Sequence, residues 1–243
     1  MLIIRENTEC LYIKQEELLT DENGNKYAVA TRKITERASA RAGQMAFTMA
    51  LQRDAMRKTL EPEQRIWKNK PRVTIVHKSN VLSITDGLWR ETVRRVHESN
   101  PDFKDRVDIE EQLVDSMVYR MFREPDAFDV IVAPNMYGDI ISDGAAALVG
   151  SLGLVPSANV GDNFAVGEPV HGSAPDIAGK NIANPIAAIR SAAMLLENKG
   201  YAEAAAAIYR AADSVLDEGK WSTPDLGGTA TTTQVTDAVC KRL

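Results

Sequence analysis

The stretch Phe128-Asp-Val-Ile-Val-Ala133 is followed, after a short polar segment, by a helical pattern from Tyr137 to Val149. The first stretch is typical of a buried β-strand, and the second of a helix. The β-branched run Val73-Thr-Ile-Val76 likewise precedes a helical pattern over about residues 86–99. Strands that alternate with helices indicate an α/β protein with a largely parallel sheet.

The composition is typical of a folded globular protein, with 44% hydrophobic and 26% charged residues among 243. The chain has 29 Lys and Arg against 34 Asp and Glu, a net charge of −5, so we expect no nucleic-acid or membrane partner. The longest uncharged stretch, 144–161, contains Gly and Pro and does not predict a membrane span. Cys10 and Cys240 lie far apart, which argues against a disulfide framework and for a reducing compartment.

The chain opens on Leu2-Ile-Ile4, a run that predicts a buried strand, and no targeting peptide precedes it. A core strand needs neighbouring strands, so a domain does not usually begin there. We therefore expect that further sequence belongs upstream of residue 1.

The remaining pattern predicts a hairpin and several helices. A polar turn at 21–24 lies between stretches 11–13 and 27–29, which predicts that these two stretches pair as strands. Apolar residues at helical spacing predict a helix over 36–59, with Thr35 as its N-cap. Further helices are predicted over about 112–123, from Pro185 (with Asn184 as N-cap) to the residue before Gly200, over about 201–218 and over about 233–243.

The sequence changes character after Gly150. Residues 150–182 are rich in Gly, Pro, Ser, Asn and Asp, which favours loops. We therefore predict two domains, covering residues 1–150 and 151–243.

Two carboxylates on one predicted helix are the first candidate for chemistry. Asp139 and Asp143 are one helical turn apart, so both project from the same face, just after a predicted strand. Ligands bind at this edge of α/β sheets, and a hard divalent cation would use such a pair. On spacing alone, a solvated acidic helix start, favoured by the helix dipole, is the more frequent explanation.

Other residues carry weaker signals. Lys78 lies at the carboxyl end of a core strand, where burial can make a lysine a base, and Asp115 lies beside an apolar helix stripe. Tyr12 can donate a proton, and Arg5 can bind a carboxylate through two nitrogen atoms. The glycines of segment 171–179 allow close approach to a nucleotide, but the segment matches no P-loop or GxGxxG pattern, and an ordinary ordered loop explains it as well.

Together these segments resemble one family, the β-decarboxylating dehydrogenases, which comprise isocitrate, isopropylmalate, homoisocitrate and tartrate dehydrogenases. The matching segments, in the family's order, are Arg5-Glu-Asn-Thr-Glu9 with Tyr12, Val76-His-Lys-Ser-Asn-Val81, Val114-Asp115, Asn135-Met-Tyr-Gly-Asp-Ile-Ile-Ser-Asp-Gly144, and 161–185. The resemblance implies two α/β domains around a large mixed sheet, not a Rossmann fold. It also implies that the N-terminal part of the cofactor-binding domain, of which 151–243 would be the C-terminal part, is absent from this chain.

The resemblance also implies a reaction, the oxidation of a 2-hydroxy acid that bears a carboxylate at C3, followed by loss of CO₂. Lys78 would take the hydroxyl proton, Tyr12 would reprotonate the enol carbon, and Arg5 would bind the departing carboxylate. The implied ligands of Mg²⁺ or Mn²⁺ come from both subunits of a homodimer, Asp139 and Asp143 of one and Asp115 of its partner.

The implied cofactor is NAD. The Asp176 carboxylate can accept hydrogen bonds from ribose hydroxyls and would repel the 2′-phosphate of NADP. Asn80 would approach the nicotinamide end, and Asn184 would contact the adenine. The other residues that the resemblance places at the cofactor are Glu168, His171, Gly172, Ser173 and Ala174.

Within the family, Leu11-Tyr-Ile-Lys14, 115–125 and Asn159-Val-Gly-Asp162 are most similar to fungal homoisocitrate dehydrogenases. This implies conversion of homoisocitrate to 2-oxoadipate in lysine biosynthesis, in mitochondria by the same resemblance and otherwise in the cytoplasm. NAD-dependent isocitrate dehydrogenase is one alternative, and a truncated, non-catalytic paralogue that pairs with full-length subunits is another. The chain departs from the family's usual residues at Cys10 and Asn181, where an acidic residue and a glycine are expected.

Overall fold

Eight strands and eight helices alternate along the part of the chain that the computed structural model describes, residues 1–59, 61–65 and 67–243. The strands are β1 (Leu2–Arg5), β2 (Glu16–Thr20), β3 (Lys26–Ala30), β4 (Arg72–His77), β5 (Asp108–Leu113), β6 (Val130–Ala133), β7 (Pro156–Val160) and β8 (Ala165–Pro169). The helices are α1 (Glu36–Lys58), α2 (Thr85–Ser99), α3 (Pro101–Arg106), α4 (Val114–Arg123), α5 (Asn135–Val149), α6 (Ile186–Asn198), α7 (Ala202–Asp217) and α8 (Thr232–Cys240). The α/β class is confirmed.

Two compact units divide the chain, residues 1–142 and 143–243, and their boundary lies within α5. The sequence placed the division after residue 150, at the end of the same helix. What each part of the chain does stays a prediction.

A parallel sheet with strand order β1-β6-β4-β5 forms the centre of the first unit. The inner strands β4 and β6 are almost wholly buried, as expected for a parallel sheet that packs against helices. Because all four strands run the same way, their carboxyl ends share one edge. Arg5 ends β1 at that edge, and Lys78 directly follows β4 there.

Helices α1 and α2 pack against each other and against this sheet. Thr35 caps α1 as predicted, since its side chain accepts a hydrogen bond from the Ala38 amide. The core that they form with the sheet includes Ala46, Phe47, Val73, Ile75, Trp89, Val93, Phe103, Val130 and Val132.

The second unit contains the antiparallel pair β7–β8 and has its own core, to which the helices α6, α7 and α8 contribute. The buried residues of that core are Leu154, Ile186, Ala211, Ala212, Val215, Ala230, Val235, Ala238 and Val239. The parallel and antiparallel strands of the expected mixed sheet thus lie in separate sheets, one of four strands and two of two. No helix among residues 1–59, 61–65 and 67–243 is long and apolar enough to cross a membrane.

Several local predictions were wrong. Residues 11–13 form a 3-10 turn, and the hairpin pairs β2 with β3 around the predicted turn. Strand β5 lies where the helix over 112–123 was expected to begin, because its pattern Asp-Ile-Glu-Glu-Gln-Leu is polar, as suits a strand at the edge of a sheet. The predicted loop over 150–182 contains the hairpin β7–β8.

A buried ion pair fastens β6 to α1. The Asp129 side chain is fully buried, and it accepts hydrogen bonds from both terminal nitrogen atoms of Arg57 and from the backbone amide of Arg72. Burial of a carboxylate is costly, and here the guanidinium and the amide offset that cost.

We predict that Asp129→Asn lowers the free energy of unfolding by about 3 kcal/mol, because it leaves the Arg57 guanidinium buried without its charge partner. Urea titration followed by circular dichroism measures this. The matched control is Asp126→Asn, an exposed aspartate three residues away, which should change stability by less than about 0.5 kcal/mol. Equal effects of the two substitutions would contradict the role given to the pair.

Candidate active site

Three of the predicted residues meet at the carboxyl edge of the parallel sheet. Arg5, at the end of β1, forms an ion pair with Asp139 on α5, and its guanidinium lies over the Tyr12 ring, 5.2 Å from the ring centre. The Tyr12 hydroxyl donates to the other oxygen of Asp139 at 2.5 Å. Residues separated by more than 120 positions in the sequence therefore form one cluster, the Arg5 cluster.

Asn135, to which the sequence analysis assigned no role, completes the Arg5 cluster. It is fully buried, and its side-chain oxygen accepts from the Nε (2.9 Å) and Nη2 (2.7 Å) atoms of Arg5. Its amide nitrogen donates to the Glu9 carbonyl at 3.1 Å. The sequence signal for this residue was its place at the strand-to-helix turn after Pro134, at the start of the segment 135–144 that resembles the family.

Gly138 gives Arg5 the room it needs. A Cβ atom at this position of α5 would lie 2.7 Å from Cγ and 2.9 Å from Cβ of Arg5, closer than atoms can approach. The arginine stem therefore lies directly on the helix backbone, which brings its head to Asp139.

A second pair joins two more of the predicted residues. The Lys78 ammonium donates to the Asp115 carboxylate at 2.6 Å, and this hydrogen bond is the largest of the causes that lower the pKa of Asp115. Lys78 is mostly buried, while Asp115, at the start of α4, is largely exposed. Among the residues that the structure describes, no hydrogen bond or ion pair joins this pair to the Arg5 cluster.

The hydrogen bond between Tyr12 and Asp139 has an electrostatic consequence. It is the largest cause that raises the pKa of Tyr12, because ionisation of the phenol would place a second negative charge beside the carboxylate. Tyr12 therefore keeps its proton at neutral pH, and its predicted role as the proton donor to the substrate stays a prediction.

The carboxylates fit a hard divalent cation in donor chemistry but not in number. Asp139 and Asp143 lie one turn apart on α5, and carboxylate oxygens are the ligands that Mg²⁺ and Mn²⁺ prefer. Among residues 1–59, 61–65 and 67–243, no three His, Cys, Asp or Glu side chains lie close enough to hold a metal ion together. The prediction that the partner subunit supplies the third ligand is compatible with this geometry and stays a prediction.

The predicted cofactor residues lie in the second unit, apart from Asn80, which follows β4 and is exposed. Glu168 on β8 accepts from Asn159 at 3.0 Å, and the His171 ring bonds the Gly172 carbonyl oxygen at 2.8 Å. The remaining predicted cofactor residues are exposed on an open loop; they are Gly172, Ser173, Ala174 and Asp176.

Asn184 differs from the others because it is buried and its side chain bonds two segments. Its oxygen accepts from the Ile186 amide at the start of α6, and its nitrogen donates to Asp225 at 3.1 Å. The helix begins at Ile186 with Pro185 as its N-cap, so the predicted N-cap is wrong by one residue, although the Asn184 side chain bonds the first helical amide. The side chain keeps one amide proton and one oxygen lone pair beyond these two bonds.

Comparisons with known proteins identify the family of the chain. Residues 1–239 match the family described as isocitrate/isopropylmalate dehydrogenase. The chain belongs to that family. It is 47% identical to the isocitrate/homoisocitrate dehydrogenase of Thermus thermophilus and 45% identical to the 3-isopropylmalate/3-methylmalate dehydrogenase of Methanocaldococcus jannaschii, over 100% of its own length.

A solved structure supports the family fold. The crystal structure of isocitrate dehydrogenase from Methylococcus capsulatus superposes with a TM-score of 0.83 at 38% identity, over 99% of this chain and 66% of that one. The chain spans about two thirds of the length of such relatives, 65% of the Thermus protein and 67% of the Methanocaldococcus protein.

Both departures from the family's usual residues lie at left-handed backbone positions. Asn181 has a φ of 55°, which explains why glycine is usual there, and asparagine is among the few other residues that tolerate this conformation. Its side-chain oxygen also accepts from the amide (3.2 Å) and hydroxyl (3.1 Å) of Thr233, in the first turn of α8. Cys10 has a φ of 70° and is buried, and nothing in the structure explains the cysteine.

We predict that Gly138→Ala destabilises the chain by about 1–3 kcal/mol, because the new methyl group must displace the stem of Arg5. Gly87→Ala is the matched control, since Gly87 lies within α2 and a Cβ there would meet no atom within 4 Å. It should leave stability unchanged or raise it by up to about 1 kcal/mol through helix propensity. The urea midpoints of both variants measure this, and a stable Gly138→Ala protein would refute the close contact.

Asp225 links three segments of the second unit. It accepts hydrogen bonds from Ser151 (2.5 Å), Thr223 (2.5 Å) and Asn184 (3.1 Å). Burial by itself would raise the pKa of Asp225, but these bonds outweigh it and lower the pKa below its usual value of 3.8. They therefore hold together the region around the predicted adenine contact.

A carboxylate with a lowered pKa stabilises the folded state above its unfolded pKa, and this contribution is lost as the pH falls through the folded pKa. We predict that the wild-type protein loses folding stability as the pH falls below about 4, and that Asp225→Asn loses less over the same range. Thermal unfolding of wild type and variant across that range measures the difference. Asp217→Asn, an exposed aspartate on α7, is the control, and a parallel pH profile for Asp225→Asn and wild type would contradict the prediction.

Proposed function

We propose that this chain carries the substrate and metal side chains of an NAD-dependent β-decarboxylating dehydrogenase that acts on a 3-carboxy-2-hydroxy acid. The observation that carries the proposal is the Arg5 cluster, in which a cation, a proton donor and a carboxylate converge from β1, the following turn and α5. A bound carboxylate, a proton for a carbanion and a ligand for a divalent cation are the three functions that oxidative decarboxylation needs.

Arg5 and Tyr12 serve the decarboxylation. Arg5 presents a guanidinium that Asn135 and Asp139 hold in place, and such a group binds a carboxylate through two nitrogen atoms. When the C3 carboxylate leaves as CO₂, the electron pair of the broken bond remains on the enol. Tyr12, which is protonated at neutral pH, supplies the proton that C3 then needs.

Lys78 serves the oxidation. It would accept the proton of the C2 hydroxyl, and NAD⁺, when bound, would supply the acceptor for the C2 hydride. The Lys78 side chain donates to Asp115, so it can turn to the substrate hydroxyl only when this hydrogen bond opens. In the proposed dimer, Lys78 and Asp115 act in the site of the partner subunit.

The divalent cation, Mg²⁺ or Mn²⁺, would be held by Asp139, Asp143 and Asp115 of the partner subunit, and when bound it polarises the C2 oxygen. NAD is the proposed cofactor because the exposed Asp176 carboxylate suits two ribose hydroxyls and disfavours a phosphate. Relatives with mitochondrial names are NAD-dependent isocitrate dehydrogenase subunits, whereas others are bacterial or archaeal. A mitochondrial location is therefore proposed on the resemblance alone.

Homoisocitrate is the proposed substrate, and isocitrate is the second candidate. The name of the Thermus relative includes both compounds, so both stay candidate substrates. The two acids share the hydroxyl and the carboxylates that Arg5 and the metal would contact, and they differ in the length of the remaining side chain.

A second copy of this chain is the proposed partner. The hairpin β2–β3 is an isolated pair of strands that exposes apolar residues on both faces, Leu18 (66% exposed) on one and Tyr27 (48%) and Val29 (44%) on the other. A two-stranded sheet is marginally stable in water, so burial of this surface in a dimer would stabilise it.

Reduction of NAD⁺, followed by the absorbance of NADH in the presence of Mg²⁺, tests the activity. Homoisocitrate, isocitrate and isopropylmalate are offered in turn, to this chain and to a form extended upstream as in its relatives. Turnover of homoisocitrate at the highest kcat/KM supports the proposal, and preference for isocitrate would replace the substrate. Absence of turnover by both forms, when both are folded, would overturn it and favour a non-catalytic paralogue.

In the active form, Tyr12→Phe should lower kcat by about 10²–10⁴-fold, because the proton donor is lost while the ring remains. Tyr201→Phe, at an exposed tyrosine of the second unit, is the matched control and should leave kcat unchanged. Steady-state kinetics with the best substrate measures both. A Tyr12→Phe enzyme with wild-type kcat would remove Tyr12 from the mechanism.

Leu18→Asp places a charge on the exposed face of β2 and should convert the proposed dimer to monomers. Light scattering coupled to gel filtration gives the mass directly. Glu17→Asp, at the neighbouring exposed position, keeps the surface charge and should leave the mass of the wild type unchanged. A monomeric wild-type protein at micromolar concentration would refute the partner.

A further inference from the structure

A buried carboxylate contacts the backbone of Lys78. Asp86, in the first turn of α2, has no exposed side-chain surface, and its Oδ2 atom accepts from the backbone amide of Lys78 at 2.6 Å. Its Oδ1 atom lies 2.8 Å from the guanidinium of Arg32. The charge of Asp86 is therefore compensated by one cation and one backbone donor.

Arg32 connects Asp86 to α5. It lies just beyond β3, its Nη1 atom donates to the hydroxyl of Tyr137 at 2.6 Å, and its guanidinium lies 4.5 Å from the centre of the tyrosine ring. Tyr137 is buried in the first turn of α5, two residues before Asp139. We call Asp86, Arg32 and Tyr137 the Asp86 triad.

The amide of Lys78 needs this partner because the sheet ends just before it. The ladder between β4 and β5 stops at His77 and Leu113, and the ladder between β4 and β6 stops at Ile75 and Val132. The Asp86 carboxylate accepts a hydrogen bond from the first backbone amide beyond the strand pairing. It thereby restrains the backbone torsion angles of the residue whose side chain must reach Asp115 or a substrate.

Packing alone does not explain such a group. Burial of a carboxylate and a guanidinium costs several kcal/mol, and an apolar pair of similar volume often stabilises a core as well or better. The same carboxylate also lies at the start of α2, where it is favoured by the helix dipole. A test must therefore separate the effect on Lys78 from the effect on stability.

We propose that Asp86 is a positioning residue, held by Arg32 and Tyr137, that sets the direction in which the Lys78 side chain leaves β4. The proposal rests on the proposed function of Lys78 as the base. It also ties the strand that carries Lys78 to the helix that carries Asp139, because the triad contacts both elements.

The experiment compares Asp86→Asn with Asp129→Asn. Both remove the charge of a fully buried aspartate that is paired with an arginine, but Asp129 lies before β6, at the opposite edge of the parallel sheet from Lys78. In the active form, Asp86→Asn should lower kcat on the order of 100-fold with KM within about twofold. Asp129→Asn should lower stability alone. A wild-type kcat in folded Asp86→Asn protein would overturn the proposal.

A second readout needs no turnover. Acetylation of Lys78 by a water-soluble active ester, followed by mass spectrometry of the peptide, should be faster in Asp86→Asn than in wild type, because the lysine is no longer held against Asp115. Asp129→Asn should match wild type. Equal rates in all three proteins would refute positioning by Asp86. If the wild type shows no turnover, the proposed function fails, and the acetylation rates still decide the proposal.

Discussion

The parallel alignment of β1, β6 and β4 is the constraint on which the site depends. A parallel sheet brings the carboxyl ends of its strands to one edge, whatever their separation along the chain. Arg5 ends β1, Asn135 follows β6 and Lys78 follows β4, so three polar side chains reach the same edge from three parts of the sequence. A shift of one residue in the register of β1 would turn the Arg5 side chain to the other face of the sheet.

Charge balance at that edge then determines what each group can do. Asp139 is neutralised by Arg5 and bonded by Tyr12, and Asp115 is neutralised by Lys78. Two of the three carboxylates proposed to hold a cation, Asp139 and Asp115, are thus already partnered by residues proposed to bind substrate or move a proton. Under the proposed function, a cation bound by these two carboxylates would compete with Arg5, Tyr12 and Lys78 for them.

Much of this could be predicted from the sequence where a local rule applied. The helices α1 and α5, the strands β1, β4 and β6 and the turn of the first hairpin follow from periodicity and turn residues. Strands β5, β7 and β8 were missed because edge strands and small hairpins are polar and resemble loops or helix starts. Asn184 was predicted both as a helix N-cap and as a cofactor residue; its side chain bonds the first amide of α6 and Asp225, and its role at the cofactor stays a prediction.

By itself, the sequence determined the α/β class, the family and the identity of the candidate residues, because motifs and hydrophobic periods are local properties of the chain. Only the tertiary structure decided the partners: that Arg5 lies on Gly138, that Asn135 holds its guanidinium, and that Asp86 lies behind Lys78. Such contacts depend on strand order and on the space that a missing Cβ atom leaves. Neighbours in the sequence set neither the strand order nor this space, because both arise when distant segments pack against the same sheet.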